Sequence, residues 1–255
     1  MTSTAPLASA PSLLPHQGVV SGLGVVIAFG LLLAWGSSAV TLFSLDYAAY
    51  SWRWIAAAVI GHGFLYTGLF IVAHDAMHGS VCPSAPRLNH AVGAIASYAY
   101  ALFPYSVLRQ KHHIHHQHPT TTQDPDFHDG RFGIVSWYFS FIQQYWGWGQ
   151  FWGISCIVYP LMWVFHVHAV NLLLFWILPF VISSLQLFFF GTYLPHRRGK
   201  GYPSHHCARS LPLPWLLSLG ACYHFGYHEE HHRYPQVPWW WLPTVYARLK
   251  AGNRY

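Results

Sequence analysis

Long uncharged apolar runs alternate along this chain with short polar segments crowded with histidine. Four runs, 19–45, 52–73, 151–165 and 170–193, approach the length needed to cross about 30 Å of hydrocarbon, the third being the shortest. A fifth uncharged stretch, 90–108, carries Gly93, Pro104 and several tyrosines, and reads as a re-entrant or interfacial helical element. The pattern predicts an all-α integral membrane protein. About four transmembrane helices, this extra element and a cytoplasmic histidine-rich helical cap make up the expected fold. Residues 1–18 hold no Lys or Arg, so they lack the charged start of a cleaved signal peptide and are expected to be a flexible tail. With no internal repeat and no low-complexity linker, 19–255 reads as one domain.

Composition agrees with the pattern. Charged residues make up 8% of the 255, far below the roughly 25% of soluble domains. The net charge of +6 comes from scattered residues rather than a basic run, so nucleic acid is not an expected partner. Of 13 Lys and Arg residues, only Arg53 falls on the side where the second run begins. The positive-inside rule then places both termini and the histidine segments in the cytoplasm. Cys82, Cys156, Cys207 and Cys222 form no CxxC pair and no disulfide framework. The run Trp239, Trp240, Trp241 is expected in an interfacial aromatic belt.

The polar segments carry the chemistry. Among 20 histidines, eight form three boxes: His74 and His78 (HxxxH), His112, His115 and His116 (HxxHH), and His228, His231 and His232 (HxxHH). Positions i, i+3 and i+4 share one helix face, so each box can aim its imidazoles at a common point. Neutral imidazole binds iron, zinc, copper and nickel. Eight such groups exceed the needs of one tetrahedral ion and suit two metals with open positions for dioxygen. A carboxylate-rich di-iron site is excluded by supply, since the only glutamates are Glu229 and Glu230. Asp75 and Asp124 sit where a carboxylate could fix a ligating imidazole, and His224 precedes His228 by one helical turn. One rival stands. His228, Glu229 and His232 also match HExxH, the signature of a zinc metalloprotease with Glu229 as general base. It leaves the other two boxes unused.

Four strings make the chain similar to the membrane fatty-acid desaturase and hydroxylase superfamily: AHDAMHG (73–79), KHHIHHQHPTTTQDPDFH (111–128), FFFGTYLPHR (188–197) and YHFGYHEEHHRYP (223–235). Within it, the flanking residues most resemble bacterial and cyanobacterial β-carotene ketolases. The resemblance implies a non-haem centre of two iron ions that uses dioxygen to turn the 4-methylene of a β-ionone ring into a ketone. The implied substrate is β-carotene or a hydroxylated derivative, drawn from the lipid bilayer. A carotenoid hydroxylase or a fatty-acid desaturase of the same superfamily is the alternative. His196 matches a further histidine ligand of the superfamily. Thr192 stands where several relatives carry Asn, at a position that would support a water-mediated ligand. The string around Asp126 assigns that carboxylate a catalytic role. Two hydroxylations at one carbon, then loss of water from the gem-diol, would give the ketone. Electrons must come from elsewhere, because the chain carries no GxGxxG and no iron–sulfur cysteine pattern, and a ferredoxin-type donor is the expected partner.

Overall fold

The computed structural model describes residues 16–197 and 206–252, so most of the expected N-terminal tail lies outside the described residues. All regular structure among them is helical. Helix α1 (Gln17–Phe43) begins two residues earlier than the tail reading allows, and α2 (Trp52–Met77) follows a short turn capped by Asp46. Then come α3 (Pro86–Ala101), α4 (Tyr105–Gln117), α5 (Gly133–Tyr145), α6 (Trp148–Trp163) and the long α7 (Ala169–His196). Helix α8 (Trp215–Cys222), α9 (His228–Arg233) and α10 (Leu242–Gly252) close the chain. Three helices, α1, α2 and α7, are each long and apolar enough to cross a membrane.

Helix α2 is the axis of the bundle. Tyr66, Leu69, Ile71, Val72, Ala73 and Ala76 are buried among its neighbours. Intramembrane polar groups tie the helices together, because hydrocarbon offers them no other partner. His62 of α2 meets Ser38 of α1 at 2.8 Å, which is a structural tie rather than a site. Thr67 donates to Gln186 of α7 at 2.7 Å. Asn171 donates to the carbonyls of Phe43 and Leu45, pinning the start of α7 to the α1–α2 turn.

The expected third span, 151–165, is realised as α6, only 16 residues long. At about 1.5 Å per residue it falls short of the hydrocarbon thickness. Helix α5, which the sequence reading missed, supplies the rest. Trp137 lies against Tyr193 at one end of α7 and Trp146 against Phe180, and the lower part of α6 follows α7 back to Ala169. Helices α5 and α6 together therefore form one broken arm antiparallel to α7.

The ambiguous stretch 90–108 resolves into α3 and α4, bent by 98°. Helix α3 runs beside α2 until Tyr100 meets Tyr66 and Ser183. Leu102 then takes a left-handed conformation, Pro104 starts α4, and the chain turns back toward the end of α2. The close α2–α3 approach requires Gly93, since a Cβ there would lie 2.5 Å from the Ala76 methyl and 2.6 Å from the Tyr105 ring. Asn89 fixes the turn after α2. It is fully buried, accepts from the Val81 and Cys82 N–H groups and donates to the Ala76 carbonyl. Gly79, at φ +75°, ends α2 in the left-handed manner that favours glycine.

Candidate metal centre

Nine imidazoles converge at this end of the bundle, in two groups. His74, His78, His112, His116 and His231 form the first, and His115, His196, His228 and His232 the second. In each group one nitrogen per ring lies within 4.8 Å of all the others. The first box converges on one group as expected, but the second and third boxes each divide between the two. His112 and His116 serve the first group and His115 the second, while His228 and His232 serve the second and His231 the first. The reason is geometric. At about 100° per residue, i and i+4 nearly coincide around the helix, whereas i+3 diverges from i+4 by a full step. Helices α4 and α9 thus each address both groups. The groups abut, with the His116 and His232 rings stacked at 4.2 Å.

The contacts are of the kind a cation resolves. Nε2 atoms face one another at 2.7 Å (His78, His112), 2.9 Å (His116, His231) and 3.1 Å (His74, His231). In the second group His232 Nε2 stands 3.1 Å from both His115 Nε2 and His228 Nε2. A neutral imidazole carries one N–H, so such rings cannot all be paired by hydrogen bonds, and several lone pairs point inward. Three of the outward nitrogens have acceptors. His196 Nδ1 donates to the Cys207 carbonyl at 2.9 Å, and His115 Nδ1 donates to Asp124 at 3.0 Å. His74 Nδ1 lies 3.4 Å from Asp75, whose other oxygen accepts the Trp239 N–H at 3.0 Å. These bonds make Nε2 the basic nitrogen of those three rings. Burial holds His228, His231 and His232 well below their usual pKa, so they stay neutral, as ligands must.

The supporting residues divide. Asp75 and Asp124 lie against ligating rings as above. Asp126 reaches within 3.9 Å of His115 Nδ1 and accepts a 2.6 Å hydrogen bond from Tyr145. Burial pushes the Asp126 carboxyl up; it pushes Asp124 the same way, but the His115 hydrogen bond and charge together with the Asp126 and Thr120 N–H groups hold that carboxyl down. Thr192 is buried on a cavity wall beside the histidines. His224 departs from expectation. Tyr223 and His224 both adopt positive φ, which breaks the helix between it and His228. Its ring packs on Trp215 and Trp239, and neither of its nitrogens has a hydrogen-bond partner among the described residues. The tryptophan run also departs from a simple belt. Trp239–Trp241 form a single turn at the histidine end, leading into α10. Glu229 and Glu230 belong to neither group; Glu230 accepts from Ser210, and the Glu229 N–H donates to the same hydroxyl. Tyr145 and Trp137, whose Nε1 donates to the Asp126 carbonyl, were missed because α5 was missed.

A cavity leads to the histidines. Phe70, Tyr100, Phe103, Phe141, Trp146, Phe180 and Leu187 make its apolar walls, and His74, His112, His115, His228 and Asp126 its floor. The sequence pattern of the family described as "Fatty acid desaturase" matches residues 49–157 and 129–254. The chain belongs to the fatty acid desaturase family. Its similarity to named members extends over nearly the whole length. It is 44% identical to the "Beta-carotene ketolase" of Paracoccus sp. (strain PC1), covering 92% of this chain and 95% of that one. It is 41% identical to "Beta-carotene 4-ketolase 3" of Haematococcus lacustris, over 78% of this chain and 63% of the relative. The "Zeaxanthin 4-ketolase" of Chlamydomonas reinhardtii is 38% identical over 89% of this chain and 52% of its own length. As a family member the chain is a membrane protein with histidine clusters able to bind metal.

Proposed function

We propose that this chain is a β-carotene 4-ketolase that holds two iron ions in its two histidine groups and acts on a carotenoid β-ionone ring. The observation that carries the reading is the cavity whose aromatic walls end on both groups. An apolar ring fits those walls, and a methylene at its edge would face the histidines. The ketolase names of relatives similar over most of this chain support the substrate class. All nine proposed ligands are imidazoles, a donor set that iron accepts. When bound, the iron pair supplies the oxidising power from dioxygen that an unactivated C–H bond requires. The residues of the chain do the rest. Asp124, Asp75 and the Cys207 carbonyl orient the ligating rings, and the apolar walls exclude water. Asp126, paired with Tyr145 on the wall, is placed to hold a proton or a hydroxyl near the reacting carbon.

The ketone arises by two hydroxylations of one carbon, each consuming one dioxygen and two electrons, followed by loss of water. A ferredoxin-type protein supplies the electrons. The domain begins with α1 at Gln17, and the histidine end and both termini are cytoplasmic. Support for that topology comes from α1, which starts beside Ser84, and α10, which packs on α9, both at the histidine end. Expression in a β-carotene-producing bacterium tests the function. Mass analysis should find keto-carotenoids with the wild-type chain, and unchanged β-carotene would refute the assignment.

A further inference from the structure

Behind the catalytic cavity lies a groove between α6 and the first half of α7. Ile154, Val158 and Met162 line it from α6, and Leu173, Trp176 and Ile177 from α7. Among the described residues, no charged one lines it. Leu173 and Ile177 are about half exposed, at 48% and 52%, so the groove opens sideways at the level of the spans. Three residues, Tyr100, Trp146 and Phe180, belong to both the groove and the catalytic cavity. Phe180 stands between the other two rings, 5.4 Å from Tyr100 and 6.1 Å from Trp146 by centroids. The two wide π turns of α7 fall one on each side of this partition: Leu173–Ile177 borders the groove, and Phe188–Tyr193 borders the catalytic cavity.

We propose that this groove binds the polyene chain of the carotenoid whose end ring lies in the catalytic cavity. Tyr100, Trp146 and Phe180 then form the constriction through which the ring enters from the bilayer. The inference rests on the carotenoid reading above. A carotenoid is a stiff rod, apolar along its length, so whatever projects from the cavity must remain in apolar surroundings. The groove offers that, and it continues the cavity through three shared walls. The other large cavity, beside Arg197 and Arg209, shares no wall residue with the catalytic one and carries two cations. Contacts made so far from the reacting carbon supply binding energy that positions the ring.

The test compares two substrates in membranes containing the full chain: β-carotene, and a one-ring analogue with a short polyene that ends inside the catalytic cavity. Val158→Trp fills the groove. It should lower the ratio of β-carotene to short-substrate oxidation by about tenfold or more. Ile177→Trp, on the facing wall, should do the same and stands in if Val158→Trp fails to fold. Ile157→Trp, on the same helix but lining neither cavity, should keep the wild-type ratio. Carotenoid retained by the purified chain, read by its absorbance, should fall in the two groove variants and persist in His228→Ala. An unchanged ratio in both groove variants would overturn the proposal, as would a fatty acyl chain found in the groove with β-carotene oxidation unaffected by blocking it. If the wild-type chain oxidises neither substrate, the function itself fails, which is a distinct result.

Discussion

His196 joins the second group from the end of α7, and its Nδ1–H is committed to the Cys207 carbonyl. His196→Ala should therefore abolish ketone formation in β-carotene-producing cells, because an open metal site cannot lose a ligand without losing geometry. Glu229 tests the protease rival at the same scale. It lies outside both groups, and Glu229→Gln should keep most ketone formation. Full activity in His196→Ala would remove it from the ligand set, and a protease activity lost in Glu229→Gln would overturn the assignment. Asp124 anchors the His115 ring and also accepts the Thr120 and Asp126 N–H groups. Asp124→Ala should weaken metal retention against a chelator by about 10–100-fold, the usual effect of losing a partner that orients a ligand. Retention equal to wild type would show that His115 needs no such anchor.

The turn after α2 sets where His74 and His78 point, and Asn89 of α3 holds it. Asn89→Ala leaves the buried Val81 and Cys82 N–H groups without acceptors. The expected cost is about 2–4 kcal/mol, seen in detergent as a melting temperature lower by roughly 5–15 °C. No shift would mean the turn is held otherwise. Asn89 also shows what a sequence hides at this scale, since a polar residue in an apolar run gives no hint of which backbone groups it serves. The long spans α1, α2 and α7 were legible because hydrophobic runs of that length have one outcome. The histidine boxes were legible because ligand spacing repeats three times. Helix α5 was not, because its tyrosines and glutamines dilute the apolar signal. The division of each box between two groups, and the break between His224 and His228, depend on helix orientation and backbone φ, which spacing does not encode.

At the scale of the whole molecule, the histidine groups, the start of α1 and the packing of α10 on α9 all lie at one end, and Asn171 and the α1–α2 turn at the other. With Lys and Arg concentrated at the histidine end, that end should face the cytoplasm. In a Cys156→Ser background, Gln117→Cys and Arg233→Cys should resist a membrane-impermeant thiol reagent in intact cells, and His166→Cys should react. Labelling of Gln117→Cys or Arg233→Cys from outside would reverse the orientation.

The most direct test of the account is metal content. Nine imidazoles in two abutting groups predict two metal ions per chain, and the proposed ketolase function requires them to be iron. Elemental analysis of the purified chain, normalised to protein by amino-acid analysis, should return about two irons, with loss on mutating ligands of either group. One zinc per chain and no iron would contradict the account and return the HExxH reading to first place.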